Sequence, residues 1–261
     1  RTVAQAAHIV ISGDGWRDAF LRRWPVDDAT VTTVENGTEL VHLLAREQLR
    51  AFQEKSVSEE PVTIAYLGGF QPWQGVPLLL RALARLQAQV TPFHLILIGS
   101  GQGEAEAQQL TRQLGLSGVV TLTGRLPQEK YAPLLAQADI GVAPYCDWPE
   151  YSGLKLFDYK AAGLAVIGSG ENGYPRTLAH GRSGWIVPPC DEKALARAIG
   201  LLVEDSALRR QLGQAARLEA ERIHGWEQTT QRLEQIMSDV LSKREQTQQL
   251  RADGQQGFRV T

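Results

Sequence analysis

The stretches HLILIG (94–99) and ADIGVAP (138–144) decide the fold, because each is an almost unbroken apolar run that closes on glycine or proline. A strand exposed on one face alternates apolar and polar residues, whereas a parallel strand covered on both faces reads as a continuous run. Both stretches are of the second kind. Working outward, further β-rich runs lie at Val62 to Leu67, Val119 to Leu122, Ala165 to Ile167 and Trp185 to Val187. Between the runs sit amphipathic segments, Val76 to Gln89, Glu104 to Leu114, Glu129 to Ala136 and Leu154 to Ala162, with Gly or Pro at most junctions. This alternation predicts an α/β domain, a doubly wound parallel sheet of Rossmann-like type over residues 62–203. In such sheets ligands sit beyond the carboxyl ends of the strands, so chemistry is expected in the loops after Leu67, Ile98, Leu122, Ala143 and Ile167.

The flanks read differently. AHIVIS (7–12) suits a buried strand, Trp16 to Trp24 a helix, and Thr30 to Val34 a second strand before Asn36-Gly37. So small a group cannot bury a core alone. Residues 39–61 turn from helical to polar and suit a connector, and residues 204–242 carry purely helical patterns. The polar residues 243–261 are expected to form a flexible tail.

Composition narrows the function. With 261 residues, 43% hydrophobic and 21% charged, the chain is an ordinary globular one, and its formal charge of -2 gives no broad basic surface for nucleic acid. No apolar run approaches the roughly 20 residues that cross a bilayer. The chain opens on Arg1 without a signal peptide, so it reads as a soluble fragment with a cytoplasmic location expected. Cys146 and Cys190 lack the paired spacing of a zinc or redox motif and are expected to be bystander thiols. Histidines at 8, 42, 94, 180 and 224 are equally scattered, so neither metal nor cofactor is expected.

Three motifs can carry chemistry. In LGGFQPWQG (67–75), Gly68 and Gly69 let backbone approach a bulky anion, although a tight strand-to-helix turn would use the same residues. IGSGQGE (98–104) invites comparison with a dinucleotide fingerprint, but Glu104 stands where the third glycine belongs and no acid closes the next strand. Most informative is PEYSGLKLFDYKAAG (149–163): Ser152 is a good N-cap, the helix runs from Gly153 to about Ala162, and Gly163 stops it. Lys155 lies in the first turn, where the helix dipole disfavours a cation unless an anion is near. Asp158 falls three residues on, on the same face. A solvated Lys–Asp pair on an exposed helix would give the same spacing.

These landmarks occur in a set order: AHIVIS, VENG (34–37), YLGGFQPWQGVPLLLRAL (66–83), LILIGSGQGEAEAQQL (95–110), VVTLTGRLPQEKYAPLLAQADIGVAPY (119–145), GLKLFDYKAAGLAVIGSG (153–170) and HGRSGWIVPPCDEKALARAI (180–199). In that order the sequence resembles glycosyltransferase family 4, a retaining group 1 family of GT-B architecture, over residues 4–240. The resemblance implies two Rossmann-like domains facing across a cleft, of which this chain supplies the carboxyl-terminal, nucleotide-sugar-binding one. Residues 1–38 would then be a remnant of the acceptor domain with its crossover, and the isolated fragment would bind donor but transfer nothing. The resemblance also implies that Asp158 holds the ribose and Glu150 lies at the donor sugar. Gly124, Arg125 and Leu126 would meet the base, and Gly68, Gly69, Ser152, Gly153 and Leu154 would line the donor cleft. No metal is required, and the acceptor, whether saccharide, lipid or protein, stays open.

The departures bear on catalysis. Gly69 and Gln74 stand where the family usually has Arg and Lys for the diphosphate, which leaves Lys155 as the first candidate replacement and Arg176 as a second source of a cation. Asp158 replaces a longer Glu, and Arg176 follows Gly173-Tyr174-Pro175 where the family often has Glu. A non-catalytic nucleotide-sugar-binding or scaffolding module is therefore the alternative. On this reading Lys155→Met would leave the unliganded chain at least as stable, and Asp158→Asn would hardly change stability.

Overall fold

The computed structural model describes residues 3–44, 61–87, 92–147, 153–173 and 175–256. The chain divides into two compact units, one of residues 38–225 and a smaller one combining residues up to 37 with those from 226 onward. In the smaller unit β1 (Ile9–Ile11) pairs in parallel with β2 (Val31–Thr33), with α1 (Asp14–Arg23) between them in sequence. These two strands form a sheet by themselves. The same unit holds α9 (Trp226–Gln256), so residues 243–256, expected as a flexible tail, are helical.

The larger unit is built on six parallel strands: β3 (Val62–Leu67), β4 (Phe93–Ile98), β5 (Val120–Gly124), β6 (Ile140–Ala143), β7 (Ala165–Ser169) and β8 (Trp185–Val187). Their order is β5-β4-β3-β6-β7-β8. The chain therefore builds outward from β3 on one side, then crosses back to β6 and builds outward on the other. Between β3 and β6 the crossovers leave toward opposite edges, and a crevice opens at their carboxyl ends. The pairing supports this: β3 and β4 match over their full length, but β3 and β6 pair only through Ile64 with Ile140 and Ala65 with Gly141.

Helices cover both faces. After β3, α3 (Val76–Leu86) buries Val76, Leu79, Leu80, Leu83 and Leu86 along one stripe. Burial of each such leucine stabilises by about 1.5 to 3 kcal/mol. The helix packs beside α7 (Glu192–Glu204), which Asp191 caps through the Ala194 amide at 2.8 Å. α4 (Glu104–Gln113) follows β4 and α5 (Gln128–Ala136) follows β5. On the other face α6 (Leu154–Ala161) lies against α8 (Ser206–Ile223), and both pack on β7. Arg217 of α8 ties this face together by donating to the carbonyls of Ala161, Val41 (3.0 Å) and Leu44 (2.9 Å), at the end of short α2 (Leu40–Leu43). Most of the connector beyond α2, residues 45–60, lies outside the described residues.

The expectation of two bystander thiols is wrong. Cys146 and Cys190 form a disulfide, with their Cα atoms 4.8 Å apart. A sequence separation of 44 hides this neighbourhood, which arises because the loop after β6 and the turn before α7 leave the same edge of the sheet.

Candidate functional site

Three strand ends are stitched together at the crevice. Gly68 donates its amide to Ile98 O at 2.9 Å, Gly99 donates to Gly124 O at 2.9 Å, and Phe70 donates to Ser100 O at 3.1 Å. The loops so joined line a pocket of about 340 Å³, with walls from Leu67 to Gly69, Ile98 to Ser100, and Arg125 with Leu126. Gly68 has φ of 145°, a backbone that side chains rarely adopt, and a Cβ there would come within 2.9 Å of Lys155 Nζ. Gly68, Gly69, Arg125 and Leu126 thus line one pocket, with Gly124 accepting a hydrogen bond from the Gly99 amide beside them.

That contact also locates Lys155. It is buried, 7% exposed, on the first turn of α6, with its ammonium directly under the Gly68 turn. The ammonium lies 4.5 Å from the Tyr66 ring centroid and 4.9 Å from that of Tyr145, and it donates to Gln74 Oε1. Two aromatic faces and an amide oxygen form a half-cage that holds a cation. The expectation of a cation mildly unfavourable at a helix start is therefore corrected, as is the solvated Lys–Asp pair. Tyr66 completes the cage by donating its hydroxyl to Gly69 O at 2.5 Å, and burial pushes its phenol well above the ordinary range. Gln74, one of the two departures in the glycine loop, carries no charge but directs the lysine.

Asp158 follows one turn further along α6. Its Oδ1 accepts from Thr38 Oγ1 at 2.6 Å and its Oδ2 from the Tyr131 hydroxyl at 3.0 Å. Burial raises its carboxyl above the ordinary range, and the two hydrogen bonds act against that rise. Asp158 is thus a half-buried side chain with a hydroxyl donor on each oxygen, not a solvated one.

Sequence reasoning missed two side chains at this site. The Tyr159 hydroxyl accepts from the Leu67 amide at 2.7 Å and donates to Val142 O at 3.2 Å, bridging β3 and β6 where their own pairing has ended. Its ring occupies the space a Cβ at Gly141 would need. Lys160 is fully buried and donates to Thr177 O at 2.7 Å and to His224 Nε2 at 2.9 Å, with Glu219 Oε2 at 3.0 Å. It anchors the segment after β7 to α8. An ammonium has only donors, so His224 must accept at Nε2 and is neutral, and burial with the Lys160 charge lowers its pKa to about 3. Both residues sit in a helix whose sequence reads as ordinary amphipathic pattern, which is why neither was singled out.

Gly153 is buried and caps α6 in extended conformation without a side-chain hydrogen bond, while Leu154 is exposed. Glu150 and Ser152 lie outside the described residues, as does Tyr174. Arg176 is exposed in the loop after β7. Among the described residues the sole cluster with metal-ligand spacing is Cys146, Asp147 and Cys190, and both its sulfurs are committed to the disulfide.

Residues 47–219 match the family model described as glycosyl transferases group 1. The chain belongs to that family. A relative, the phosphatidyl-myo-inositol mannosyltransferase of Mycolicibacterium smegmatis, is 29% identical over 210 residues, covering 79% of this chain and 51% of the relative. A D-inositol 3-phosphate glycosyltransferase of Streptomyces avermitilis is 27% identical over 235 residues, covering 86% and 50%. The chain thus spans about half the length of the curated relatives it matches. Among solved structures, Anabaena Alr3699/HepE in complex with UDP superposes with a TM-score of 0.77 at 20% identity, covering 90% of this chain and 64% of that one. Sucrose-phosphate synthase from Thermosynechococcus elongatus superposes at 0.76 with 26% identity, covering 92% and 60%. The fold, an α/β unit on a parallel sheet flanked by helices, is therefore shared with these structures. Among the described residues no helix is long and apolar enough to cross a membrane.

Proposed function

We propose that this chain is the donor-binding half of a retaining, family 4 hexosyltransferase of GT-B architecture, which moves a sugar from a nucleotide-sugar to an acceptor held by a further domain. The observation that carries the reading is the Lys155 ammonium, held by Tyr66, Tyr145 and Gln74 directly beneath Gly68 at the sheet's switch point. When the bond to the donor sugar breaks, negative charge grows on the departing diphosphate. A cation fixed in advance beside a turn without side chains can stabilise that charge without reorganising. The α6 amides from Gly153 onward would add a helix N-terminus to the same anion. In this reading Glu150 stands at the donor sugar, Asp158 at the ribose, and Arg125 with Leu126 at the base. No metal is needed, because fixed charge and amides take its part.

The neutral residues Gly69 and Gln74 favour a second reading, a module that binds nucleotide-sugar without turnover. Calorimetric titration of the chain with UDP, GDP and ADP, each beside its nucleoside, tests what the two readings share. One diphosphate is expected to bind and its nucleoside to bind more weakly; no binding by any of the three would overturn both. A transfer assay on the full-length protein with matching nucleotide-sugars then separates them, since binding without product favours the module.

A further inference from the structure

We infer that Tyr131 and Thr38 are positioning residues which aim the Asp158 carboxylate so that it receives a vicinal diol, making the site selective for ribose over deoxyribose nucleotides. The inference rests on the proposed reading of Asp158 as the ribose ligand and goes beyond it by assigning what orients that ligand.

A carboxylate offers about four lone-pair sites, two on each oxygen, and on a side chain free to turn they point in no fixed direction. Here each oxygen has one site taken: Oδ1 by the Thr38 hydroxyl at 2.6 Å, Oδ2 by the Tyr131 hydroxyl at 3.0 Å. A hydroxyl has a single hydrogen to give, and both residues give theirs to Asp158. The donors come from the segment before α2 and from α5, one to each oxygen, and two bonds on separate oxygens restrict how the carboxylate can turn. One site per oxygen remains, which is the acceptor pattern for two neighbouring hydroxyls.

Both donors are themselves held. Thr38 is 3% exposed; its amide donates to His224 O at 2.9 Å, and its hydroxyl oxygen accepts the Leu40 amide at 3.1 Å. Tyr131 stands on α5, which begins just after the pocket-lining residues Arg125 and Leu126, and its ring packs in the same apolar cluster as Leu126 and Leu67. The diol receptor is thereby joined to the pocket wall through packed side chains. The same two bonds favour the ionised carboxyl against the rise that burial imposes on Asp158.

The test titrates the 261-residue chain and its Tyr131→Phe variant with UDP, GDP and ADP and with the 2′,3′-dideoxy form of each. For the diphosphate that binds, the parent is expected to prefer the ribose form by about tenfold or more, the worth of one or two charged hydrogen bonds. Tyr131→Phe should weaken the ribose form by roughly 5- to 20-fold and leave the dideoxy form within about twofold, so that the preference shrinks. Thr38→Ser, which keeps the hydroxyl, should retain the preference, and Thr38→Val should lose it. Equal losses for both forms of the nucleotide would make Tyr131 a support of the fold alone and overturn the inference, as would an unchanged preference in Tyr131→Phe. A parent that binds ribose and dideoxy forms alike would remove the ribose reading of Asp158 itself. Thermal melting of each variant confirms that the comparison is made between folded proteins.

Discussion

Replacing Lys155 with Met tests the site at its centre, because the two side chains are close in length and differ in the charge. In the unliganded chain the change removes two cation–π contacts, at 4.5 and 4.9 Å, and the hydrogen bond to Gln74. Each ring contact contributes about 0.5 to 1 kcal/mol, more when water is excluded, and the charged hydrogen bond about 1.5 to 3 kcal/mol. Against these stands the cost of burying an ammonium, which methionine does not incur. The net expectation is a loss of about 1 to 2 kcal/mol in unfolding free energy. The effect on ligand should be larger and more selective. If the ammonium touches only the phosphates, a nucleoside diphosphate loses one charge-assisted contact of about 1.5 to 3 kcal/mol, roughly 10- to 150-fold in affinity. The parent nucleoside should lose almost nothing. The assay is a pair of calorimetric titrations at fixed salt on parent and Lys155→Met, with chemical denaturation to measure stability. Equal diphosphate affinities in the two proteins would refute the assignment and turn attention to Arg125, which lines the pocket.

Three further outcomes follow from other parts of the structure. His224 is neutral in the fold with its pKa lowered to about 3 by burial and the Lys160 charge, whereas an unfolded histidine titrates near 6.5; the unfolded state therefore binds more protons below pH 6.5, and stability should fall by about 2 kcal/mol between pH 7 and 5. Denaturation at the two pH values should show this loss in the parent and not in His224→Gln, and matching losses would count against it. Gly75 has φ of 73° and its missing Cβ would overlap the Pro144 carbonyl oxygen, so Gly75→Ala should destabilise by more than about 2 kcal/mol as the start of α3 is displaced; a melting temperature within a degree of the parent's would contradict the geometry. Reducing the Cys146–Cys190 bond, which closes a loop of separation 44, should remove about 4 kcal/mol on the chain-entropy model, and melting curves with and without dithiothreitol that coincide would show that the bond does not constrain the unfolded chain.

The sequence by itself determined the layers and the edge at which to look. Continuous apolar runs such as HLILIG can be satisfied only by a strand covered on both faces, and amphipathic segments between them leave parallel pairing as the way to connect such strands. Glycines at 68 and 69 and the helix from Leu154 were legible for the same reason: local backbone geometry and capping depend on residues close in sequence. Most of what surrounds the site was not legible, because it depends on which elements the sheet order makes neighbours. Lys155 reads as a cation on an exposed turn until β3 and β6 come to lie side by side and bring Tyr66 and Tyr145 over it. Asp158 reads as a helix-surface acid until Thr38 and the α5 residue Tyr131 reach its two oxygens across sequence separations of 120 and 27. The disulfide is invisible for the same reason, its two cysteines being joined only through the sheet. Periodicity records whether a residue faces the core or water, and it carries no record of which distant side chain will stand opposite; that pairing is settled when the strands order themselves around the switch point between β3 and β6.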